Sequence, residues 1–156
     1  MKAASLSELK SELKALSQSQ LLDICLQFAK YKKENKELLT YLLYEANDES
    51  VYIKNIKEFI ADEFENVNKT NIYYAKKSIR KILRLTSKYI KYSGSKQTEV
   101  ELLIFFCKQV KGSGVSMRSS TALANLYQRQ IEKIKKALDT LHEDLQYDYK
   151  EDIASL

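Results

Sequence analysis

The sequence predicts an all-α fold of about seven antiparallel helices. The chain has 156 residues, no proline and only three glycines, which stand at positions 94, 112 and 114. Sheet proteins use glycine and proline for their many turns, so a first stretch of 93 residues without either favours helices. Apolar residues also recur at helical spacing along most of the chain, and capping motifs precede several of these runs.

The first three helices are predicted before Asn47. Residues 5–8 (SLSE) and residues 17–20 (SQSQ) each form a capping box, in which a serine and the residue three positions later satisfy each other's backbone amide. Apolar residues follow each box at helical spacing, and a polar stretch at residues 30–36 predicts a turn. The third helix is indicated by leucines at positions 38, 39, 42 and 43.

Helices four and five are predicted next. Residues 47–50 (NDES) break the apolar pattern and supply a cap for helix four. Helix four has apolar residues at positions 51, 53, 56, 59, 60, 64 and 67. Asn and Thr side chains at residues 66–71 compete for backbone hydrogen bonds and predict a turn. Helix five then runs from Ile72 to Tyr92.

Helices six and seven complete the predicted fold. A capping box at residues 98–101 (TEVE) predicts the start of helix six, which is apolar almost all round through Val110 and is therefore expected at the centre of the core. Residues 112–114 end it, and the last and longest helix is predicted from Ser119 to Leu145. Short connections make neighbouring helices antiparallel, so the fold is either a bundle or a short stack of helix hairpins.

The chain length fits a single domain, predicted at residues 1–145 and followed by an acidic tail at residues 146–156. The N-terminal residues contain no apolar signal-peptide core, and the longest apolar run, residues 102–107, is far shorter than the ~20 residues of a membrane span. Cys25 and Cys107 both stand among large apolar residues, which predicts two buried thiols in a reducing compartment. We therefore expect a cytoplasmic location and no membrane partner.

Basic residues are concentrated in one window, from Asn66 to Thr98, which contains no acidic residue. The whole chain has 26 Lys and Arg against 21 Asp and Glu. Outside the window there are 26 − 9 = 17 basic and 21 acidic residues, so the rest of the chain has a net negative charge. Concentrated positive charge can mark a surface for an anionic partner. The nine basic residues of the window are Lys69, Lys76, Lys77, Arg80, Lys81, Arg84, Lys88, Lys91 and Lys96.

Six of these residues form a one-sided stripe on helix five, because at 100° per residue they fall within roughly a 100° arc. The α5 stripe, as we name it here, consists of Lys77, Arg80, Lys81, Arg84, Lys88 and Lys91. Such a stripe would suit phosphates, an acidic protein surface or an anionic lipid surface, and the lipid surface ranks last because the apolar face of the helix is needed for the core. It could equally be a plain solvated face, or be neutralised by the helix-four carboxylates Glu58, Asp62, Glu63 and Glu65.

Three features of the C-terminal half are weaker candidates. A flexible loop before a helix start could hold an anion, although a plain connection is the simpler interpretation. The residues of this candidate anion loop are Gly112, Ser113, Gly114 and Arg118. The last helix has an apolar seam at positions 127, 131, 134, 138, 141 and 145, which could form a homodimer through residues 119–145 or face the chain's own bundle. The acidic tail could fold over the α5 stripe or be solvated.

The sequence predicts no enzyme, no cofactor and no metal site. His142 is the only histidine, and no Glu-x-x-His motif occurs, so the usual zinc and di-iron sites cannot be built. Carboxylates four residues apart, such as Glu58 and Asp62, are typical of helix surfaces. No nucleophile elbow, P-loop or dinucleotide fingerprint is present in the sequence.

Four segments carry a resemblance to a known family. They are the leucines at positions 9, 13, 16 and 21 around Ser17, residues 57–60 (KEFI) with residues 62–64 (DEF), residues 74–79 (YAKKSI), and the apolar helix at 100–110. Their order resembles an uncharacterised bacterial all-helical family known only as a domain of unknown function. The resemblance implies a helical fold without a known activity, and it transfers no functional residue. Helix five is richer in lysine than the resemblance leads us to expect.

These observations together predict a non-catalytic helical interaction or scaffold domain in the bacterial cytoplasm. Its partner is expected to be another protein with an acidic surface that meets the α5 stripe. The alternative is a nucleic-acid-binding protein that contacts phosphates through the same stripe, and such binding should fall steeply as salt is added.

Overall fold

The computed structural model describes residues 2–156, and over these residues it contains helices and no strands. The all-α prediction is therefore confirmed. Seven of the nine α-helices in the described residues have eight residues or more, which matches the number predicted. The helices are α1 (Leu6–Lys14), α2 (Gln18–Tyr31), α3 (Lys33–Thr40), α4 (Glu49–Glu65), α5 (Ile72–Ser93), α6 (Lys96–Gly112), α7 (Thr121–Leu138), α8 (Glu143–Asp148) and α9 (Lys150–Ala154). Within residues 2–156, no helix is both long and apolar enough to cross a membrane.

The chain divides into two compact units, whereas the sequence predicts one domain over residues 1–145. The first unit ends at Tyr44 and the second spans Glu45–Leu156. Their boundary falls inside a turn of π-helix, Tyr41–Glu45, that continues directly from α3. Because this turn contains no glycine, no proline and no polar run, its composition does not mark a linker.

The first unit contains α1, α2 and α3, and both of its predicted capping boxes are confirmed. Oε2 of Glu8 accepts a hydrogen bond from the Ser5 amide (2.7 Å), and Oε1 of Gln20 accepts one from the Ser17 amide (2.9 Å). Lys32 has an extended backbone between α2 and α3, which confirms the turn predicted there. No residue of the three helices is buried.

The second unit packs around α6, as the sequence predicts. Helices α4, α5 and α7 all contact α6. Phe106 at its middle is fully buried, and its ring lies 5.7 Å from the ring of Phe64 on α4. The eight buried residues of α6 are Thr98, Val100, Leu102, Leu103, Ile104, Phe106, Cys107 and Val110. An apolar helix surrounded by three neighbours thus supplies the core of this unit.

The start of α6 differs from the prediction. The helix begins at Lys96, and its cap is Ser95, whose Oγ accepts a hydrogen bond from the Thr98 amide (3.3 Å). Thr98 is therefore inside the first turn rather than the capping residue. It is fully buried, and its Oγ1 donates to Oε1 of Glu49 on α4 (2.5 Å). The capping box predicted at residues 98–101 was wrong. In that box the Glu101 side chain would accept a hydrogen bond from the Thr98 amide, but Ser95 already accepts it.

The predicted last helix is divided. Helix α7 ends at Leu138, where Oγ1 of Thr140 donates to the Ala137 carbonyl (2.6 Å), and α8 starts beyond the new cap His142. Tyr127 and Ile134 of the predicted seam are buried within their own unit. A continuous seam over residues 119–145 is therefore absent from the described structure, since positions 141 and 145 lie beyond the end of α7.

The acidic tail at residues 146–156 is helical and bonded to the second unit. The hydroxyl of Tyr149 donates to Oε1 of Glu101 (2.9 Å), and the hydroxyl of Tyr127 donates to the Leu156 carbonyl (2.9 Å). Lys108 on α6 pairs with Asp152. These contacts place the tail against α6 and α7. The tail contacts found lie on α6 and α7 rather than on the α5 stripe, and Asp148 and Glu151 are exposed, as expected of a solvated terminus.

Candidate functional site

The helix that carries the stripe, α5, has clear signals at both ends. Oδ1 of Asn71 accepts hydrogen bonds from the amides of Tyr73 (3.0 Å) and Tyr74 (3.4 Å) and so caps its start. At its end, Gly94 takes a left-handed conformation with φ of +67°, and its amide donates to the Ile90 carbonyl (2.9 Å). Glycine adopts this conformation without steric cost, which explains the stop at this position.

One side of α5 is core and the other carries the stripe. Ala75, Ile79, Ile82 and Thr86 are buried, and the Thr86 hydroxyl donates to the Ile82 carbonyl (2.9 Å). This buried side packs against α4 and α6. The cations therefore lie on the side that the core does not use, as the helical spacing predicts.

Five residues of the stripe are exposed, and Lys88 is half-buried. The exposed residues are Lys77, Arg80, Lys81, Arg84 and Lys91. Toward the start of the helix, four of them surround a shallow depression of about 690 Å³, which is also lined by Tyr73, Lys76 and Ser78; these four are Lys77, Arg80, Lys81 and Arg84. The positive groups are thus brought together at the end of the stripe that begins near Tyr73.

Two lysines of the stripe already have partners. Nζ of Lys81 lies 2.8 Å from Oε2 of Glu63 on α4. Nζ of Lys88 lies 4.9 Å from the ring centre of Tyr89 and 5.9 Å from that of Tyr92. Both distances are within the range of a cation–π interaction. Both lysines belong to the predicted α5 stripe, and the structure shows them engaged within the chain.

Of the four helix-four carboxylates predicted to neutralise the stripe, Glu63 forms an ion pair with it. Glu63 reaches the stripe, whereas the Glu58 carboxylate lies 4.0 Å from Lys54 on its own helix. Among residues 2–156, no ion pair joins Lys77, Arg80 or Arg84 to a carboxylate. We call these three residues the open cations. They follow one another along the exposed side of α5.

Two exposed tyrosines lie at the start of the same helix. Tyr73 is 63% exposed and Tyr74 is 54% exposed, and their rings meet edge to face with centres 5.5 Å apart. Aromatic rings beside cations are the usual arrangement for stacking nucleic-acid bases. The structure therefore places an aromatic pair beside the open cations.

In the candidate anion loop, the serine side chain forms hydrogen bonds with the backbone of the loop itself. Ser113 is buried, and its hydroxyl donates to the Val110 carbonyl (2.7 Å) and accepts from the Val115 amide (3.2 Å). Gly114 has a φ of +77°, which explains why glycine stands there. Gly112 is the last residue of α6, and Arg118 is exposed on a short 3₁₀ helix. The serine hydroxyl is thus committed to closing the turn.

The two cysteines and the histidine lie in different environments. Burial raises the pKa of the Cys107 thiol to about 12, so this thiol stays protonated at neutral pH. Cys25 is exposed, which corrects the prediction that both thiols are buried. His142 is exposed and caps α8 through Nδ1. In residues 2–156 there is no group of three or more His, Cys, Asp or Glu side chains that could hold a metal ion.

A polar cluster on the second unit was missed by the sequence reasoning. Oε2 of Glu101 lies 2.8 Å from Nζ of Lys57, and Oε1 accepts from Tyr149. Burial, followed by the hydrogen bond to Glu101, raises the pKa of Tyr149 to about 12. These residues stand 44 to 48 positions apart in sequence, so no local spacing could have joined them. Comparisons with models of known protein families, with curated proteins and with solved structures found no match to this chain.

Proposed function

We propose that this chain is a non-catalytic helical interaction module that binds an acidic protein surface through the open cations of α5. The proposal includes the bacterial cytoplasm as the location, on the basis of the family resemblance and the unpaired cysteines. One observation carries the proposal: Lys77, Arg80 and Arg84 are exposed, neighbouring and not paired with a carboxylate in residues 2–156. Charges left open in this way raise the rate of encounter with an anionic partner.

The length and spacing of the row of open cations fit a surface that recognises charge. The open cations lie on the first half of α5 and span residues 77–84, which is about 11 Å at 1.5 Å per residue. A row of this length matches carboxylates presented one helical turn apart on a partner helix. The neighbouring Lys81 contributes little attraction, because the Glu63 carboxylate 2.8 Å away already offsets its charge.

Nucleic acid is the second candidate, and the exposed tyrosine pair favours it. Tyr73 and Tyr74 could stack on bases while the open cations contact phosphates. Three phosphate contacts would make the affinity fall about 20- to 40-fold between 50 and 200 mM salt. Stacking on a single strand would add about 1–3 kcal/mol for each base.

The test is a fluorescence-anisotropy titration of the full chain at two salt concentrations. The probes are a labelled poly-glutamate peptide, a single-stranded oligonucleotide and a duplex of the same length. The test variant is the triple substitution Lys77→Gln, Arg80→Gln and Arg84→Gln. We expect it to abolish peptide binding at low salt. If the unchanged chain binds none of the three probes at low salt, the proposal is wrong.

A matched control removes the same number of charges elsewhere. Lys133, Lys135 and Lys136 on α7 are exposed and have no ion pair among the described residues. Replacing these three by Gln changes the net charge as much as the test variant does. We expect this control to bind the peptide as the unchanged chain does. Equal losses in both variants would show that net charge, and not the α5 surface, attracts the peptide.

The double substitution Tyr73→Ala and Tyr74→Ala separates the two candidate functions. If nucleic acid is the partner, single-strand affinity should fall at least tenfold, because each stacked base contributes more than 1 kcal/mol. For an acidic protein surface, peptide affinity should change little. A chain that binds the single strand tightly, and loses that binding in this variant, would replace the first candidate with the second.

A further inference from the structure

The first unit displays an apolar groove between its three helices. Leu9, Leu13, Ile24, Phe28 and Leu42 line it, and each of these side chains is at least 40% exposed. Leu6, which is 86% exposed, lies on the same side of α1 by helical spacing. Large apolar side chains grouped along a groove are typical of a surface that another chain covers.

The first unit has too little interior to be stable without such a cover. Helices α1, α2 and α3 contain no buried residue, although α1 and α2 each begin with a complete capping box. A unit of 44 residues is near the size below which disulfides, metals or oligomerisation are usually needed. Its single cysteine is free, and no cluster of metal ligands is present in the described residues. Association with another chain would bury the groove and supply the missing interior.

We infer that the groove is covered by a second copy of this chain, in a symmetric dimer formed through the first unit. In a two-fold interface the same patch meets itself, so an apolar groove finds an apolar partner at every encounter. This surface is distinct from the α5 stripe and does not depend on the function proposed for it.

The exposed area is close to what a specific dimer needs. Aromatic residues present on the order of 150–250 Å² and aliphatic ones less, so at about 150 Å² each the exposed fractions of Leu6 and the five groove residues leave roughly 500 Å² on each copy. Two copies that buried all of this area would cover about 1,000 Å², which is the lower limit for a specific interface. An area of this size is at the lower end of standard interfaces, so we expect the dimer to dissociate on dilution.

The charges on α1, which lines the groove, suit a second copy. Helix α1 carries Glu8 and Glu12 together with Lys10 and Lys14, so its charges cancel. A charged patch that pairs with itself is best when it carries both signs, because a single sign would repel its own copy. The open cations of the second unit have the opposite character, since they attract anions and repel one another.

The first test measures the mass of the full chain by sedimentation equilibrium over a range of concentrations. We expect a shift from the monomer to twice its mass. Ile24→Glu places a charge in the groove and should abolish the shift. The matched control Leu22→Glu changes a residue on the same helix that is 58% exposed and does not line the groove, and it should dimerise normally. Circular dichroism checks that both variants keep their helices.

The second test uses the exposed thiol of Cys25, which lines the groove, in the unchanged chain. Its reaction with a thiol reagent should slow in proportion to the dimer fraction as protein concentration rises. Buried Cys107 should stay unreactive throughout. The inference is overturned if the chain stays monomeric with Cys25 reactive at every concentration. It is also overturned by a dimer that survives Ile24→Glu, or by protection of Cys25 that does not change with concentration.

Discussion

Helices α2 and α6 show how differently the two units of this chain use the same kind of sequence signal. Helix α2 begins with a complete capping box at Ser17, whereas α6 begins with the single cap Ser95. Yet no residue of α2 is buried, and eight residues of α6 are. Local hydrogen bonds decide where a helix starts, and neighbouring helices decide whether it becomes part of a core. The stability of this chain should therefore lie mostly in its second unit.

Removing a phenylalanine ring from each unit gives the largest contrast. Phe106→Ala should lower the free energy of unfolding by about 3–5 kcal/mol, because it leaves a cavity beside Phe64 in the core. Phe28→Ala in the first unit should cost less than about 1 kcal/mol in dilute solution, since its ring is 61% exposed. Urea unfolding of both variants at low protein concentration measures the difference. Equal losses would contradict the contrast between the units.

Alkaline pH should weaken the second unit through Cys107. Burial raises the pKa of this thiol from 9.0 to about 12, so above pH 9 the unfolded chain loses a proton that the folded chain keeps. Stability is thus unaffected below pH 9 and falls as pH rises toward 12, by an amount on the order of 4 kcal/mol when complete.

Cys107→Ala should make this pH dependence shallower, with the raised pKa of Tyr149 still contributing above pH 10, and urea unfolding at several pH values would measure the difference. Cys25→Ala, a change at an exposed residue of the first unit, is the matched control and should leave the dependence as it is. If the Cys107 variant loses stability between pH 9 and 12 as steeply as the unchanged chain, the buried thiol does not act as described.

The Glu49 carboxylate should contribute the next largest effect. It accepts hydrogen bonds from the hydroxyls of Ser93 and Thr98, so it joins the start of α4 to the end of α5 and the start of α6. Glu49→Ala should cost about 1.5–3 kcal/mol, because hydrogen bonds to a charged group are lost and Thr98 is left unsatisfied in the core. Glu65→Ala, at the exposed end of the same helix, should change stability by less than 0.5 kcal/mol in thermal unfolding, as surface substitutions usually do. Similar effects at both positions would contradict this role.

The smallest effect is expected at the ion pair of the α5 stripe. Lys81→Gln removes the contact with Glu63, and an exposed pair of this kind contributes only about 0–1 kcal/mol. The same substitution should also leave peptide binding nearly unchanged, because the charge of Lys81 is already offset. A loss of affinity as large as that of Arg84→Gln in the same titration would show that Lys81 belongs with the open cations.

Much of the fold could be predicted from the sequence because its signals are local. The capping boxes at Ser5 and Ser17, the turn before α5 and the apolar character of α6 each depend on residues within a few positions of one another. The end of α7 at Leu138 was missed, because a heptad pattern continues through Thr140 even though its hydroxyl bonds back to the chain. Threonine competes for backbone groups, and periodicity does not register this.

The candidate site was predictable only in part, because helical spacing is a local signal and contacts with other helices are not. Helical spacing placed all six residues of the stripe on one side of α5, and the structure agrees. It could not show that Glu63 reaches Lys81 and that Lys88 lies over aromatic rings, since these depend on rotamers and on the packing of α4. The division into two units could not be predicted either, because it depends on which helices pack together and not on the local sequence.

Hydrogen exchange of the full chain, followed by mass spectrometry at two protein concentrations, tests the contrast between the units most directly. We expect amides of α6 to be the slowest to exchange at both concentrations, because they open only when the second unit unfolds. Amides of α1 and α2 should exchange rapidly in dilute solution and become protected at high concentration, when a second copy covers the groove. Strong protection of α1 and α2 at the lower concentration, equal to that of α6, would contradict the contrast between the two units.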